Sequence, residues 1–392
     1  MDNNSLLKKL VIITTHPVQY NAPLFQLLAD RRHIEVKVLY TWGQSKESIF
    51  DPGFGNSRLW DIPLLEGYQY EFLENTSKVP GSHHFKGIDN PGIVKAIENY
   101  DPDAILVYGW SFKSHLKVIR HFTGKIKILF RGDSTLLDED PGFSFKKFLR
   151  RIFLKWIYSH IDQALFVGTA NKAYYLKHGL KEEQLIFAPH AVDNRRFLTT
   201  ELDDLRSRLG ISGSAIVFLF AGKFEPKKSP LFLLEAFIKL NKKNTHLILV
   251  GNGALEDRLK AFIRQQAEEI KGRIHVLPFQ NQSQMPGIYK AADVFVLPSQ
   301  GPGETWGLSV NEAMACAKAV LISDKCGCYP DLVQPGQNGF IFKFDDLDEL
   351  VDKMKIMTEN KEKPLTMGQK SLDLIGNWSY ENDAAIIEST ID

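Results

Sequence analysis

The 392-residue chain has only three cysteines, and all of them lie in one short stretch, at Cys316, Cys326 and Cys328. A sparse and odd set excludes a disulfide-rich secreted scaffold and favours a reducing compartment. Cys326 and Cys328 could contribute to a metal site. No second Cys or His pair at ligand spacing follows them, so buried thiols are the simpler interpretation.

The sequence also lacks any run of 18 or more apolar residues, the minimum expected of a membrane-spanning helix. The apolar run from Leu10 to Thr15, which follows Lys8 and Lys9, is too short for the hydrophobic region of a signal peptide. We therefore expect a cytoplasmic protein that is at most peripheral to the inner face of a membrane.

An excess of charge of one sign is missing as well. Forty-eight Lys and Arg residues stand against 47 Asp and Glu, so the formal net charge is +1. This balance excludes a general positive field for nucleic acid. Hydrophobic residues make up 44% and charged residues 24% of the chain, which is typical of a globular protein, and the length predicts two domains.

Short apolar, β-branched runs alternate with longer amphipathic stretches along the whole chain. This alternation is typical of an α/β fold, in which parallel strands are covered by helices on both faces. Because it occurs twice, it predicts two doubly wound domains. The predicted strands are Leu10–Thr15, Glu35–Tyr40, Ala104–Tyr108, Ile126–Phe130, Gln163–Val167, Leu185–Ala188, Ala215–Ala221, Thr245–Val250, Arg273–Leu277, Asp293–Leu297, Ala319–Ile322 and Gly339–Phe342.

The predicted join lies within residues 189–213, where polar and glycine-rich segments interrupt the apolar rhythm. We place the first domain at 1–195 and the second at 196–376, followed by a last segment at 377–392. Residues 42–92 are rich in Gly and Pro and have few periodic runs, so we expect a long irregular loop with a functional role there.

The predicted strand at 215–221 leads into a possible anion site. Gly222 allows close approach of the backbone, Lys223 and Lys228 supply positive charge, and Ser229-Pro230 is a typical helix start. A lysine-rich surface turn would look the same. After the next strand, Gly251 and Gly253 mark either a tight turn or a ligand contact. Glu256 holds the place of a third glycine, which disfavours an NAD-binding enzyme.

The most informative stretch is 298–313, a Gly/Pro-rich loop that runs into a helix after a predicted strand. Glu304 lies on the loop and Glu312 lies eight residues later, about two helical turns along the wall of the expected cleft. Carboxylates accept hydrogen bonds from sugar hydroxyls, and a helix N-terminus between them favours phosphate. Two hydroxyl-binding groups on either side of a phosphate-binding group describe a site for a nucleotide sugar.

On these residues the chain resembles the family-4 retaining glycosyltransferases, which have the GT-B fold of two facing Rossmann-like domains. Glu304 and Glu312 match the E-x7-E motif of that family within a similar block from Ala292 to Phe342. Lys223 and Lys228 match its two basic positions, with Lys in place of Arg at 223. A lysine keeps the charge but loses the bidentate fork of arginine.

The resemblance implies a role for each matching position. Lys223 and Lys228 would hold the donor diphosphate, Glu304 the transferred sugar, and Glu312 the ribose. It implies that the 196–376 domain binds the donor and the 1–195 domain the acceptor, and that the helix near Ser379–Thr390 crosses back to the first domain. Further implied donor contacts are Gly222, Gly251, Gly253, Phe279, Gln280, Thr305, Trp306, Gly307 and Leu308.

The first half resembles the family less closely. Family members often have a histidine after a middle strand, but here the sequence after the predicted strand ending at Phe130 contains Arg131 and Asp133. Either these two residues or His16 could take over the role of that histidine. The alternatives are a structural Arg131–Asp133 ion pair and a helix-capping loop around His16. Candidate acceptor-binding residues near His16 are Gln19, Tyr20 and Asn21.

Residues 143–161 form a predicted helix in which five basic residues and many large apolar ones alternate, without an acid from 143 to 160. Such a helix could contact an anionic membrane or a lipid-linked acceptor. It could equally pack on the sheet and leave a solvated face, which is the interpretation we favour.

The sequence thus predicts a retaining glycosyltransferase that needs neither metal nor cofactor. Its donor would be a UDP- or GDP-linked sugar, and its acceptor a hydroxyl of a glycan or lipid-linked molecule in cell-surface polysaccharide or glycoconjugate synthesis. The alternatives are a nucleotide-sugar epimerase of the same fold and a non-catalytic protein that binds nucleotide sugars.

Overall fold

The computed structural model describes residues 7–43, 49–51, 56–58, 60–139, 142, 144–199 and 205–391. The strands in chain order are β1 Lys9–Thr14, β2 Glu35–Tyr40, β3 Ile49–Asp51, β4 Asn56–Arg58, β5 Gln69–Phe72, β6 Ala104–Tyr108, β7 Lys127–Arg131, β8 Gln163–Phe166, β9 Leu185–Phe187, β10 Ile216–Ala221, β11 Thr245–Val250, β12 Ile274–Leu277, β13 Val294–Leu297, β14 Ala319–Ser323 and β15 Gly339–Phe342.

Helices follow most of these strands. They are α1 Ala22–Arg31, α2 Ile93–Tyr100, α3 Lys113–Phe122, α4 Phe145–Tyr158, α5 Thr169–Lys177, α6 Asn194–Thr199, α7 Leu205–Arg208, α8 Pro230–Leu240, α9 Glu256–Arg264, α10 Glu268–Lys271, α11 Met285–Ala291, α12 Leu308–Ala315, α13 Tyr329–Leu332, α14 Leu347–Met357, α15 Glu362–Ile375 and α16 Tyr380–Ser389. Over the described residues, none of these helices has the length and apolar character needed to cross a bilayer.

The chain divides into two compact units. Unit 1 comprises Met1–Ile49, Ile62–Pro189 and Tyr380–Asp392, and unit 2 comprises Phe50–Asp61 and His190–Ser379. The last helix, α16, therefore belongs to the same unit as the first strand, and it packs against α1.

Unit 1 contains a parallel seven-stranded sheet in the order β5-β2-β1-β6-β7-β8-β9. Leu10, Val11, Ile12 and Ile13 of β1 are fully buried. A continuous apolar run is required there because helices cover both faces of a central parallel strand.

Unit 2 contains a parallel six-stranded sheet in the order β12-β11-β10-β13-β14-β15. All six residues of β10 are buried, and Phe218 and Phe220 pack in the core with Phe237 of α8. The predicted α/β architecture of two doubly wound parallel sheets is confirmed.

The strand order reverses at β1 and β6 in unit 1, and at β10 and β13 in unit 2. Ligands of open parallel sheets bind outside the carboxyl ends of the strands at such a reversal. In unit 2 this point brings together the loops that follow β10 and β13, which carry Lys228 and Glu304.

The prediction of an irregular loop over 42–92 is wrong at Gln69–Phe72. This segment forms β5 at the edge of the first sheet, pairing with β2. Only part of an edge strand is buried, so Gln69 and Glu71 are tolerated, and the apolar signature of a central strand is missing.

Candidate functional site

The loops after β10 and β11 are joined by backbone hydrogen bonds. The Gly222 amide donates to the Val250 carbonyl at 3.0 Å, and the Phe224 amide donates to the Asn252 carbonyl at 2.9 Å. These bonds continue the pairing of the two strands beyond their ends, and they hold the loops in a fixed arrangement at the edge of the sheet.

Gly251 and Gly253 lie where the two loops touch. Their φ angles are 146° and 152°. A Cβ on Gly251 would lie 2.0 Å from the Gly222 carbonyl oxygen, and one on Gly253 would lie 2.6 Å from that of Phe224. Close loop packing therefore explains both glycines as a tight turn. A contact of either glycine with a ligand stays a prediction.

The loop after β12 is attached to the same group by Asn252, a residue that the sequence analysis passed over. The Asn252 Oδ1 atom accepts from the Phe279 amide at 2.8 Å, while its Nδ2 donates to Glu256 at 2.9 Å. Asn252 thus positions the backbone at Phe279 and Gln280, where the nucleotide base is expected.

A segment of unit 2 from early in the chain packs beside Phe279. The rings of Trp60 and Phe279 meet edge-on at 6.2 Å between centroids. The Asp61 carboxylate accepts from the Ser283 amide at 3.1 Å. The sequence analysis expected function somewhere in 42–92 without finding these partners.

Lys228 and Glu304 form an ion pair at the centre of the candidate site. Their side chains are 17% and 7% exposed, so the pair is largely shielded from water. Lys228 ends a short 3-10 turn over Pro226–Lys228, immediately before α8. The neighbouring Lys227 instead faces Glu225 at 3.6 Å.

The Glu304 loop is tied to the Lys228 turn through Gln300. The Gln300 amide donates to the Lys227 carbonyl and its Nε2 donates to the Pro226 carbonyl, both at 2.9 Å. In addition, Ser299 Oγ donates to Glu304 Oε2 at 2.9 Å. The carboxylate of Glu304 is therefore held by one cation and one hydroxyl.

The segment that contains Cys326 and Cys328 supports the Glu304 loop from below. The Gly327 amide donates to the Glu304 carbonyl at 3.0 Å, and a Cβ on Gly327 would lie 1.7 Å from the Thr305 carbonyl oxygen. Both thiols are fully buried, and burial raises the pKa of Cys326 to about 12. The structure therefore favours buried neutral thiols, as the simpler interpretation held.

Helix α12 begins beside Glu304. Gly307 is its N-cap residue with φ at 103°, and the Val310 amide bonds back to the Gly307 carbonyl at 2.8 Å. The amides of the first turn, at Leu308 and Ser309, lack carbonyl partners within an α-helix and carry partial positive charge. Trp306 is buried, and its indole nitrogen donates to Asn311 Oδ1 at 2.8 Å.

Glu312 lies on α12 and is 3% exposed. Tyr289 on α11 donates its hydroxyl proton to Glu312 Oε2 at 2.6 Å. The E-x7-E pair is thus held by different partners: Lys228 and Ser299 for Glu304, and Tyr289 for Glu312. Tyr289 and Ser299 lay outside the sequence prediction because no motif marks them.

In unit 1, His16 and its neighbours follow β1. The His16 ring contacts Thr15 Oγ1 at 3.0 Å and meets Trp42 edge-on. Asn21 holds the N-cap position of α1, and its side chain forms no capping bond to the described residues. The carbonyl of Tyr20 accepts from the Tyr380 hydroxyl at 3.0 Å, and Gln19 lies in the same turn.

Arg131 is buried and has structural partners. It donates to Asp383 Oδ1 at 3.0 Å and to the Pro189 carbonyl at 2.9 Å. The sequence analysis considered an ion pair with Asp133; the carboxylate that binds Arg131 is Asp383, on α16. This geometry favours a structural role for Arg131 over a catalytic one. Asp133 lies just after β7, and its catalytic role stays a prediction.

A buried histidine of unit 1 was missed because it lies within α3 and not directly after a strand. His115 Nε2 is 3.0 Å from Thr41 Oγ1, and its Nδ1 is 3.0 Å from the Gly109 carbonyl oxygen. Burial lowers the pKa of His115 to about 4, so the ring is neutral near pH 7.

Known proteins share both the sequence of unit 2 and the fold of the whole chain. Residues 202–373 match the sequence model of the family "Glycosyl transferases group 1". Together with two parallel α/β units and a carboxylate–lysine site at a strand reversal, this match defines the class of the protein. The chain belongs to the glycosyltransferases of the GT-B fold.

Two curated relatives are similar over part of their length. One is UDP-Gal:alpha-D-GlcNAc-diphosphoundecaprenol alpha-1,3-galactosyltransferase of Escherichia coli, 26% identical over 61% of this chain and 64% of its own. The other is lipopolysaccharide 1,2-N-acetylglucosaminetransferase of Salmonella typhimurium, 30% identical over 55% of this chain and 58% of its own. The chain thus matches less than two thirds of the length of these relatives.

Solved structures cover the chain almost completely. Anabaena HepE in complex with UDP superposes with a TM-score of 0.74 at 18% identity, over 98% of this chain and 99% of that one. Sucrose-phosphate synthase from Thermosynechococcus elongatus superposes at 0.73 with 18% identity, over 98% of both chains. At this identity the likeness concerns the fold.

Proposed function

We propose that the protein transfers a sugar from a UDP-linked donor to a hydroxyl of a lipid-linked or glycan acceptor, with retention of the anomeric configuration and without a metal ion. The observation that carries this proposal is the shielded Lys228–Glu304 pair at the N-terminus of α12. A cation, a carboxylate and free helix amides are the groups that a sugar diphosphate needs.

The diphosphate would be held by positive charge from the chain itself. Lys223 and Lys228 follow β10, and the first-turn amides of α12 follow β13, the neighbouring strand. These groups would stabilise the negative charge that develops on the leaving diphosphate, which is the task of a metal ion in other transferases.

Glu304 and Glu312 would bind the two sugars of the donor. Glu304 lies on the loop at the helix start, so it would accept from hydroxyls of the transferred sugar. Glu312 lies deeper, with one oxygen held by Tyr289, and would bind the ribose. A diphosphate that draws Lys228 toward itself would release a Glu304 oxygen for the sugar, which couples the two binding events.

In the reaction, the bond between the anomeric carbon and the diphosphate oxygen breaks and its electron pair leaves with the diphosphate. The acceptor oxygen forms a bond to the anomeric carbon on the same face. The departing phosphate oxygen takes the acceptor proton, so charge and atoms balance. Retention is supported by the resemblance to the family-4 retaining enzymes, and Lys228 would lower the barrier by neutralising the leaving group.

Relatives support the choice of donor and acceptor. The Escherichia coli relative is named for a UDP-sugar donor and a diphospholipid acceptor, and the Salmonella relative for lipopolysaccharide. Anabaena HepE is described in complex with UDP. We therefore place UDP before GDP and a lipid-linked saccharide before a small-molecule acceptor.

The test is a calorimetric titration of the whole protein with UDP, GDP and ADP, with and without EDTA. We expect UDP to bind most tightly and chelation to leave its affinity unchanged. Lys228→Ala should weaken binding by roughly tenfold or more, as expected for a lost charge-assisted contact. Lys227→Ala is the matched control, because this lysine is a direct neighbour and faces Glu225 instead of Glu304. No binding of any nucleotide would overturn the proposal.

A second measurement separates an enzyme from a nucleotide-sugar-binding protein. Glu304→Gln keeps the size of the side chain but removes its charge. In a transferase, the variant should retain UDP affinity within a few-fold and lose transfer or slow hydrolysis of UDP-sugars by about a hundredfold or more. Wild-type protein that binds UDP-sugars and neither transfers nor hydrolyses them would favour the binding-only alternative.

A further inference from the structure

Helix α4 of unit 1 exposes a row of large apolar side chains. They are 39% to 67% exposed: Phe145, Phe148, Leu149, Ile152, Phe153 and Trp156. At about half of the area that a large side chain usually offers, six of them present roughly 600 Å². Soluble monomers rarely expose a contiguous apolar patch of this size without a binding role.

The spacing of these residues puts them on one side of the helix. At about 100° per residue, they fall within an arc of roughly 140°, with Phe145 and Ile152 near its centre. Leu154, Ile157 and Tyr158 fall on the opposite side and are buried in the unit 1 core. The favoured prediction of a sheet-packing helix with a solvated polar face is therefore wrong for the outer face, which is apolar.

Basic residues border this apolar arc on both sides. Lys146 and Arg150 fall on one edge, and Arg151 and Lys155 fall on the other. Among the described residues, Lys146, Arg151 and Lys155 form no ion pair, and α4 contains no acidic side chain. The helix thus offers an apolar band between two rows of positive charge.

A cavity of about 480 Å³ continues one basic edge toward α5. Its walls include Arg151 of α4 and Lys177 with His178 at the end of α5. His178 is 4% exposed, and both of its ring nitrogens lack a hydrogen-bond partner. Glu139 lies in the same wall and pairs with Lys177 at 2.7 Å.

We propose that α4 docks unit 1 on an anionic membrane surface, with its apolar arc inserted among the lipids and its basic edges on the lipid phosphates. An interfacial helix has this arrangement: an apolar face, aromatic residues and flanking cations. A second copy of the chain is a poorer occupant, because a symmetric contact would bring the two basic rows together. This proposal stands independently of the glycosyl-transfer proposal.

Vesicle flotation of the full chain tests the proposal directly. We expect the protein to float with phosphatidylcholine vesicles that contain phosphatidylglycerol, to do so less at high salt, and to stay unbound with phosphatidylcholine alone. Equal binding to both vesicle types, or no binding to either, would overturn it.

Paired variants identify the surface. Phe145→Ser with Ile152→Ser removes the centre of the apolar arc, and Arg151→Gln with Lys155→Gln removes one basic edge. Each pair should lower the bound fraction by roughly tenfold or more. Leu198→Ser with Leu365→Ser is the control, because these leucines of unit 2 are exposed to a similar extent, 51% and 53%.

Two further measurements separate other causes of the same result. Circular dichroism and UDP titration on the same preparations should show that the variants are folded and bind nucleotide as the wild type does. Sedimentation velocity should show a monomer. A dimer that the Phe145 and Ile152 changes dissociate, in protein that ignores vesicles, would assign the face to self-association and reject the membrane.

Discussion

The Tyr289 hydroxyl donates to Glu312 Oε2 at 2.6 Å, and both side chains are buried in unit 2. A carboxylate at this depth needs a donor, since an ionised group without a partner is costly to bury. Tyr289 supplies that donor and fixes the orientation of the carboxylate proposed to bind the ribose.

We expect Tyr289→Phe to weaken UDP binding by about tenfold or more, because a hydrogen bond to a charged group contributes about 1.5 to 3 kcal/mol. Titration calorimetry measures the effect, and Tyr70→Phe, on the exposed edge strand of unit 1, serves as control. Unchanged UDP affinity in both variants would show that Tyr289 does not position Glu312 for the ligand.

The loop packing at Gly251 gives a prediction on stability. Gly251→Ala would place a Cβ 2.0 Å from the Gly222 carbonyl oxygen at a φ of 146°. We expect a loss of at least about 2 kcal/mol in urea unfolding, together with weaker UDP binding. Gly213→Ala should be close to neutral, because no atom lies within 4 Å of the added Cβ. Equal stability of the two variants would contradict the loop contact.

The buried Arg131–Asp383 pair predicts an asymmetric response to mutation. Removing one partner, as in Arg131→Met or Asp383→Leu, should destabilise the protein by about 3 to 5 kcal/mol, because the other charge is left buried and unpaired. The double variant should recover much of this loss, which urea unfolding can measure. A variant at Arg131 that keeps full stability but loses sugar transfer would restore the catalytic interpretation.

His115 predicts a specific pH dependence. Burial lowers its pKa in the folded chain to about 4, below the ordinary value of about 6.5. The unfolded chain therefore binds a proton first as the pH falls. The stability contributed by the neutral ring is fully present above pH ~6.5 and is lost toward pH ~4, by about 3 kcal/mol in total.

Unfolding measured from pH 7 to pH 4 should therefore show a shallower decline for His115→Gln than for the wild type. Thr41→Val is the matched control: it removes the hydroxyl that contacts His115 Nε2 and leaves the imidazole in place. Its curve should lie lower but keep the wild-type slope. Parallel curves for wild type and His115→Gln would sink the assignment.

The central strands were predictable because both of their faces are covered. Such strands need continuous apolar, β-branched runs like Val11–Ile13 and Val294–Leu297, which stand out from any loop. The strand β5 has no such signature, because its edge position tolerates Gln69 and Glu71 among Gly- and Pro-rich neighbours.

The chemistry of the candidate site was partly visible in the sequence, since Lys228, Glu304 and Glu312 lie at spacings that a loop and a helix explain. Their supporting partners were not visible. Tyr289 is 23 residues from Glu312, and Asp383 is 252 residues from Arg131, so only the fold brings them together. The face of α4 that points outward was equally hidden, because apolar and basic residues alternate along the helix.

The membership of α16 in unit 1 has a consequence for the order of events during synthesis. Arg131 emerges from the ribosome long before Asp383, and so does Arg31 before its partner Glu388. Until Tyr380–Ser389 has been made, the nascent first unit holds an arginine at a buried position without its counter-ion. The segments of unit 2 that follow His190 are translated during this interval, so we expect them to acquire structure while unit 1 is still incomplete.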